Sequence, residues 1–159
     1  MTDTELHYTL FIATTPEKVW AAITTPEFTR QYWGGHINVS DWKQGSRWQH
    51  KTTDGDSAVR IAGKVLESTP PHRLVISWFA PDNEAEVSRV SFEINPAADV
   101  VRLDVTHSGL KDSSAMASGV SNGWPVVLSS LKSWLETGKG LDMMAVLGKH
   151  ACDSKTAAA

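Results

Sequence analysis

Two histidines fall on the apolar faces of alternating segments. In "SRWQHKTT", Trp48 and His50 share a face against Arg47, Gln49 and Lys51; in "VVRLDVTHSG", His107 follows Val101, Leu103 and Val105 against Arg102 and Asp104. An imidazole on such a face can orient a bound molecule or move a proton for it. It can equally be a satisfied, partly buried histidine near a sheet rim. Neither histidine has a serine, cysteine or carboxylate at a spacing that suggests a triad, so an activated nucleophile has no support. His36, His50 and His107 are far apart and belong to no HExxH or C-x-x-C pattern. His36 and Asp41 in "GHINVSDW" are ordinary loop neighbours, so no metal site and no cofactor are expected.

Seven tryptophans outnumber the four phenylalanines and two tyrosines. Trp20 and Trp134 sit in regular helical stripes and read as core. Trp33, Trp48, Trp78 and Trp124 are the interesting set: an aromatic-lined pocket with a few polar groups suits an apolar ring-containing ligand. The opposing reading is that bulky indoles simply fill the space. Polar groups that could orient a ligand are His50, His107, Ser88 and Glu67, all on faces predicted to point inward. A buried Glu67 would have its pKa raised; at a strand end in water it would be unremarkable.

The elements that would position these residues follow from periodicity. "ELHYTLFIAT" (5–14) alternates Tyr8, Leu10 and Ile12 against His7 and Thr9, a strand. Two short helices follow, each announced by "TTP": Thr14 or Thr15 caps the first and Thr24 or Thr25 the second, with Pro16 and Pro26 at N1. Val19, Trp20 and Ile23 face inward from the first, and Phe28, Tyr32 and Trp33 from the second. Gly34 and Gly35 stop it. From Trp42 to His107 the texture is period two, with inward sets Ile61/Val65, Leu74/Ile76/Trp78, Val90/Phe92/Ile94 and Val101/Leu103/Val105/His107. One polar face per strand argues an antiparallel meander.

"SNGWPVVLSSLKSWLETG" (121–138) places Trp124, Val127, Leu128, Leu131, Trp134 and Leu135 on one helical face. The preceding "KDSSAMASGVSNG" permits helix, capped by Asp112 or Ser113 and weakened by Gly119 and Gly123. Pro125 cannot donate to the Ser121 carbonyl. A long helix kinked near 121–125 is the expectation, against a fresh start at Asn122. "LDMMAVLGKH" adds a short turn packed on its own domain, and "ACDSKTAAA" frays. The fold class is therefore α+β: a curved antiparallel sheet of six or seven strands gripping a long C-terminal helix, with two short helices after strand 1. Residues 1–140 form one domain and 141–159 a C-terminal extension.

Bulk properties narrow the partners. A chain of 159 residues with 41% apolar content and a net charge of −3 is an ordinary globular domain, with no basic stripe for nucleic acid. No apolar run approaches membrane-spanning length, and the N-terminus has no signal organisation. The single cysteine, Cys152, allows no intrachain disulfide, so a reducing, cytoplasmic setting is expected, as monomer or weak homodimer.

Taken in order, "ATTPEKVWAAITTPEFTRQYWGG", "DWKQGSRW", "VLESTPPHRLVISW", "VRLDVTHSGL" and "GW" before "VLSSLKSWL" resemble the START-like, helix-grip (SRPBCC) superfamily that includes the birch-pollen-allergen fold. Within it they are most similar to the branch named after the activator of the heat-shock-protein-90 ATPase. The resemblance spans roughly residues 6 to 138. The chain departs from the pattern with one glycine in "KQGS" and with Pro125 after "GW". The resemblance implies a cavity between sheet and helix, used in the superfamily by carriers, sequestering proteins, cyclases and hydrolases. It implies no single activity.

The expected function is binding of a small hydrophobic or aromatic molecule in that cavity. The expected site is Trp33, Trp48, His50, Trp78, Ser88, Val90, Phe92, Leu103, Val105, His107, Trp124, Leu128 and Leu131, with gating by the loop after Trp33 and by "SGLKDSSA". One alternative is a hydrolase- or cyclase-type enzyme using a histidine base. The other is a co-chaperone-like domain stimulating a chaperone ATPase. That co-chaperone carries a further N-terminal domain, and this chain is expected to begin directly at the first strand.

Overall fold

The computed structural model of the protein describes residues 3–148. Seven strands and three helices run in the order β1 (Asp3–Ile12), α1 (Pro16–Thr24), α2 (Pro26–Tyr32), β2 (Ile37–Ser40), β3 (Arg47–Lys51), β4 (Val59–Thr69), β5 (Arg73–Ala80), β6 (Asn83–Ala97), β7 (Val100–Lys111) and α3 (Ala115–Thr137). The strands form one curved antiparallel sheet ordered β1-β7-β6-β5-β4-β3-β2. A last helical stretch covers 143–148. The tail with Cys152 lies outside the described residues.

The polar-apolar alternation builds the sheet as expected. Leu74, Ile76, Val90, Phe92, Ile94, Val101, Leu103 and Val105 are all buried, and they face the helices as one continuous core with Val19, Ile23, Leu128 and Leu131. The α1 cap is Thr15, whose hydroxyl accepts from the Lys18 N–H, and Pro16 opens the helix. Thr25 closes α1 and caps α2, which is why two helices fit back to back.

Several boundaries differ from the sequence reading. The α3 cap is Ser114, accepting from Ala117 N at 3.0 Å; Ser113 has φ +59°, outside the capping conformation. One helix runs unbroken through Pro125 to Gly138, whose left-handed φ of +82° ends it. Phe28 is more exposed than its helical stripe implies, yet its ring rests on Trp134 at 5.2 Å. "INVS", read as loop, is the edge strand β2 and pairs with β3, so Asn38 stands opposite His50.

Glu67 is the clearest correction. A bulge between Val65 and Glu67 shifts the β4–β5 register by one residue and turns Glu67 to the outer face. There it accepts from Arg73 Nε at 2.7 Å, and Arg73 also pairs with Glu93. The Arg73 guanidinium lowers the Glu67 pKa, the opposite of the shift expected for a buried carboxyl.

Candidate functional site

Beneath the N-terminal half of α3 lies a cavity of about 220 Å³. The helix contributes Gly119, Val120, Gly123, Trp124 and Val127; β3 and β5 contribute His50 and Trp78; Trp33, Gly34 and His36 close one side, and Met143, Met144 and Leu147 cover it from the returning chain. The helical period puts Gly119 and Gly123 four residues apart on one face. A Cβ built on either would meet no atom within 4 Å. Gly119 is exposed and Gly123 half-buried, so the open space at them adjoins solvent as well as the hollow, which the surrounding indoles do not close.

Those indoles form a connected array. Ring centroids run Trp42–Trp48 at 6.5 Å, Trp48–Trp78 at 5.4 Å, Trp78–Trp124 at 5.6 Å and Trp124–Trp33 at 5.7 Å. The last ring continues through Tyr32 to Trp134. Buried indole N–H groups need acceptors, and most find one. Trp48 donates to the Ser77 carbonyl at 2.7 Å, and Trp78 reaches Met116 Sδ at 3.3 Å. The Trp48 bond passes over Gly63, where a Cβ would lie 1.9 Å from that carbonyl oxygen. Trp42 is the exception: its buried Nε1 has no partner among the described residues.

His107 is fully buried and both its nitrogens are used. An indole only donates, so His107 Nδ1 accepts from Trp124 Nε1 at 3.0 Å. The imidazole proton then sits on Nε2 and goes to Ser88 Oγ at 2.8 Å, and the Ser88 hydroxyl donates to the Trp78 carbonyl at 3.2 Å. Burial lowers the His107 pKa to about 4. Protonating Nδ1 would remove the acceptor that Trp124 requires. This chain ties the Trp124 indole to the main chain of Trp78, two of the three tryptophans that wall the cavity.

His50 is arranged differently. Its Nδ1 lies 2.7 Å from Asn38 Oδ1, an atom that only accepts, so Nδ1 carries the proton and Nε2 the lone pair. Burial first, and the neighbouring His36 second, lower its pKa to about 3. His36 stacks on it, with centroids 4.8 Å apart and planes at 13°. His36 Nδ1 is likewise turned to backbone carbonyls, Gly34 at 3.1 Å and Trp33 at 3.3 Å. Imidazole lone pairs lie in the ring plane, so two near-parallel rings cannot both aim at one ion. The pair is arranged for hydrogen bonding, not for chelation.

Comparison with known proteins gives this architecture its family. Residues 13–136 match the family described as "Activator of Hsp90 ATPase homolog 1-like protein". The chain belongs to that family. Among solved structures, the Aha1 dimer from Colwellia psychrerythraea is similar at 22% identity over 86% of this chain and 99% of that one, with a TM-score of 0.71. An HSP90 activator from Plasmodium falciparum gives 22% identity, 91% and 96% coverage and a TM-score of 0.64. CalU16 from Micromonospora echinospora gives 21%, 84%, 77% and 0.66. At these identities the structures share the fold. No curated protein matches the sequence. Among the described residues, no helix is long and apolar enough to cross a membrane.

Within this Hsp90 ATPase activator homolog 1-like fold, the expected site residues separate into three groups. Trp33, His50, Trp78 and Trp124 come together on the cavity wall. Trp48, Val90, Phe92, Leu103, Val105, Leu128 and Leu131 lie in the packed interior, each with under 5% of its surface exposed, because neighbouring side chains already occupy the space before them. Ser88 and His107 stand behind the wall and hold Trp78 and Trp124. Of the two segments expected to gate, the loop after Trp33 borders the cavity through Gly34 and His36, and no residue of 108–115 lines it. Sequence reasoning missed His36, the two glycines and the Met143–Leu147 cover. Gly123, one helical turn before the inward Val127, was the available signal.

Proposed function

We propose that this protein binds a small, apolar, ring-bearing molecule beneath the N-terminal half of α3. The observation that carries this reading is the hollow of about 220 Å³ walled by three indoles and bordered by Gly123, where alanine would fit without a clash. A cavity of roughly 150 Å³ suffices for benzene, so about 220 Å³ suits one or two fused rings. Binding would be driven by apolar burial. Two facts favour carriage over catalysis by a histidine base: His107 has both nitrogens engaged, and His50, with a pKa near 3, is a weak proton acceptor at neutral pH. The test is titration of the protein with one- and two-ring aromatics, read by tryptophan fluorescence. Saturable quenching that is lost in Gly123→Leu is expected. A flat response across the ring series would overturn the reading.

The family membership favours a second reading, action on an Hsp90-type chaperone ATPase. It expects purified protein to raise the chaperone's ATPase rate with no small molecule present. An unchanged rate at saturating protein removes it.

A further inference from the structure

The apolar walls account for affinity but leave the stacked histidines unexplained. Each ring has committed Nδ1 to a protein acceptor, Asn38 Oδ1 for His50 and main-chain carbonyls for His36. Each therefore keeps one unprotonated Nε2, with no protein partner among the described residues, on a side chain that lines the cavity. Of the indoles on that wall, Trp78 and Trp124 have already given their N–H groups to Met116 and His107. Trp33, the third indole there, has no such bond among the described residues; beside the two histidines the polar demand left is for a donor. Resting on the pocket reading above, we infer that the site selects a one- or two-ring aromatic carrying a hydroxyl or N–H, which donates to His50 Nε2 beside His36, over the same ring bearing a carboxylate. The Asn38 bond is what makes the choice: it holds the proton on Nδ1, so Nε2 meets the ligand as an acceptor. A carboxylate there would set lone pair against lone pair beside an apolar wall. The low pKa of His50 agrees, because the ring stays neutral and gains no charge with which to attract an anion.

The experiment compares naphthalene, 2-naphthol and 2-naphthoate at pH 7.5, followed through the indole ¹H–¹⁵N signals of the whole protein. One neutral hydrogen bond should make 2-naphthol bind roughly 3- to 10-fold tighter than naphthalene, with 2-naphthoate weakest. Equal affinities for naphthol and naphthalene would overturn the donor inference while leaving the pocket intact. Tightest binding by naphthoate would overturn it as well. No shift with any of the three would remove the pocket reading and this inference with it. In His50→Phe the naphthol advantage should vanish. Should that variant fail to fold, Asn38→Asp decides: a carboxylate beside Nδ1 holds the ring as imidazolium and should move preference toward naphthoate. An unchanged preference in Asn38→Asp would overturn the inference.

Discussion

The N-terminal half of α3, residues 115–124, and its C-terminal half, 125–137, lie over the same sheet but pack in opposite ways. Over the first half, Gly119 and Gly123 face open space. Over the second, Leu128 and Leu131 are buried, Trp134 leans on Tyr32 and Phe28, and the fully buried Ser130 hydroxyl accepts from Leu141 N at 2.9 Å. Even the glycines differ: at Gly140, where the returning chain crosses, a Cβ would lie 2.5 Å from the Gln31 carbonyl oxygen. The difference teaches that the cavity is set by residue volume on one helix, within a fold that could equally be filled.

The largest effect should come from opening the filled half. Leu131→Ala removes a side chain only 2% exposed and should cost about 2–5 kcal/mol in chemical denaturation. A loss below about 1 kcal/mol would mean that the second half also has slack.

The second prediction concerns the histidines under the first half. His50 and His107 have folded pKa values lowered from 6.5 to about 3 and about 4. Lowered values mean that the unfolded chain binds protons the folded chain refuses. This stability is fully present above pH 6.5 and is lost as pH falls toward 4. Two protons correspond to a slope of about 2.7 kcal/mol per pH unit between the two limits. His107→Gln should halve that slope between about pH 6 and 5, above the range where the paired carboxylates titrate. An unaltered slope would show that His107 does not stay neutral in the fold.

The smallest effect should have the opposite sign. Gly119→Ala and Gly123→Ala each replace a helical glycine where the new methyl has room, so each should stabilise the protein by about 1 kcal/mol. Gly123→Ala should also weaken binding of two-ring ligands, since Gly123 lines the cavity. Stabilisation with unchanged binding would place the ligand elsewhere.

Much of this molecule could be read from local pattern. The inward sets Leu74/Ile76/Trp78, Val90/Phe92/Ile94 and Val101/Leu103/Val105 are buried as their alternation requires, and Pro16 and Pro26 open the two short helices. Asn38 was not legible as the partner of His50, because β2 has only four residues and its strand character comes from pairing with β3. Glu67 was misplaced because a single bulge reverses a face without leaving a mark in the period. Trp48, Leu103 and Leu131 could not be told from pocket residues, since an inward direction says nothing of what occupies the space ahead.

By itself the sequence determined the order of elements, the faces they bury and a surplus of indoles, because periods of 2 and 3.6 are properties of the backbone and need no partner to be read. Tertiary structure alone decided which indoles fill and which line, which nitrogen of each histidine is left over, and that Met143 and Leu147 return to cover the hollow. Those outcomes depend on volumes and hydrogen bonds brought together from segments far apart in the chain, and no local pattern records them.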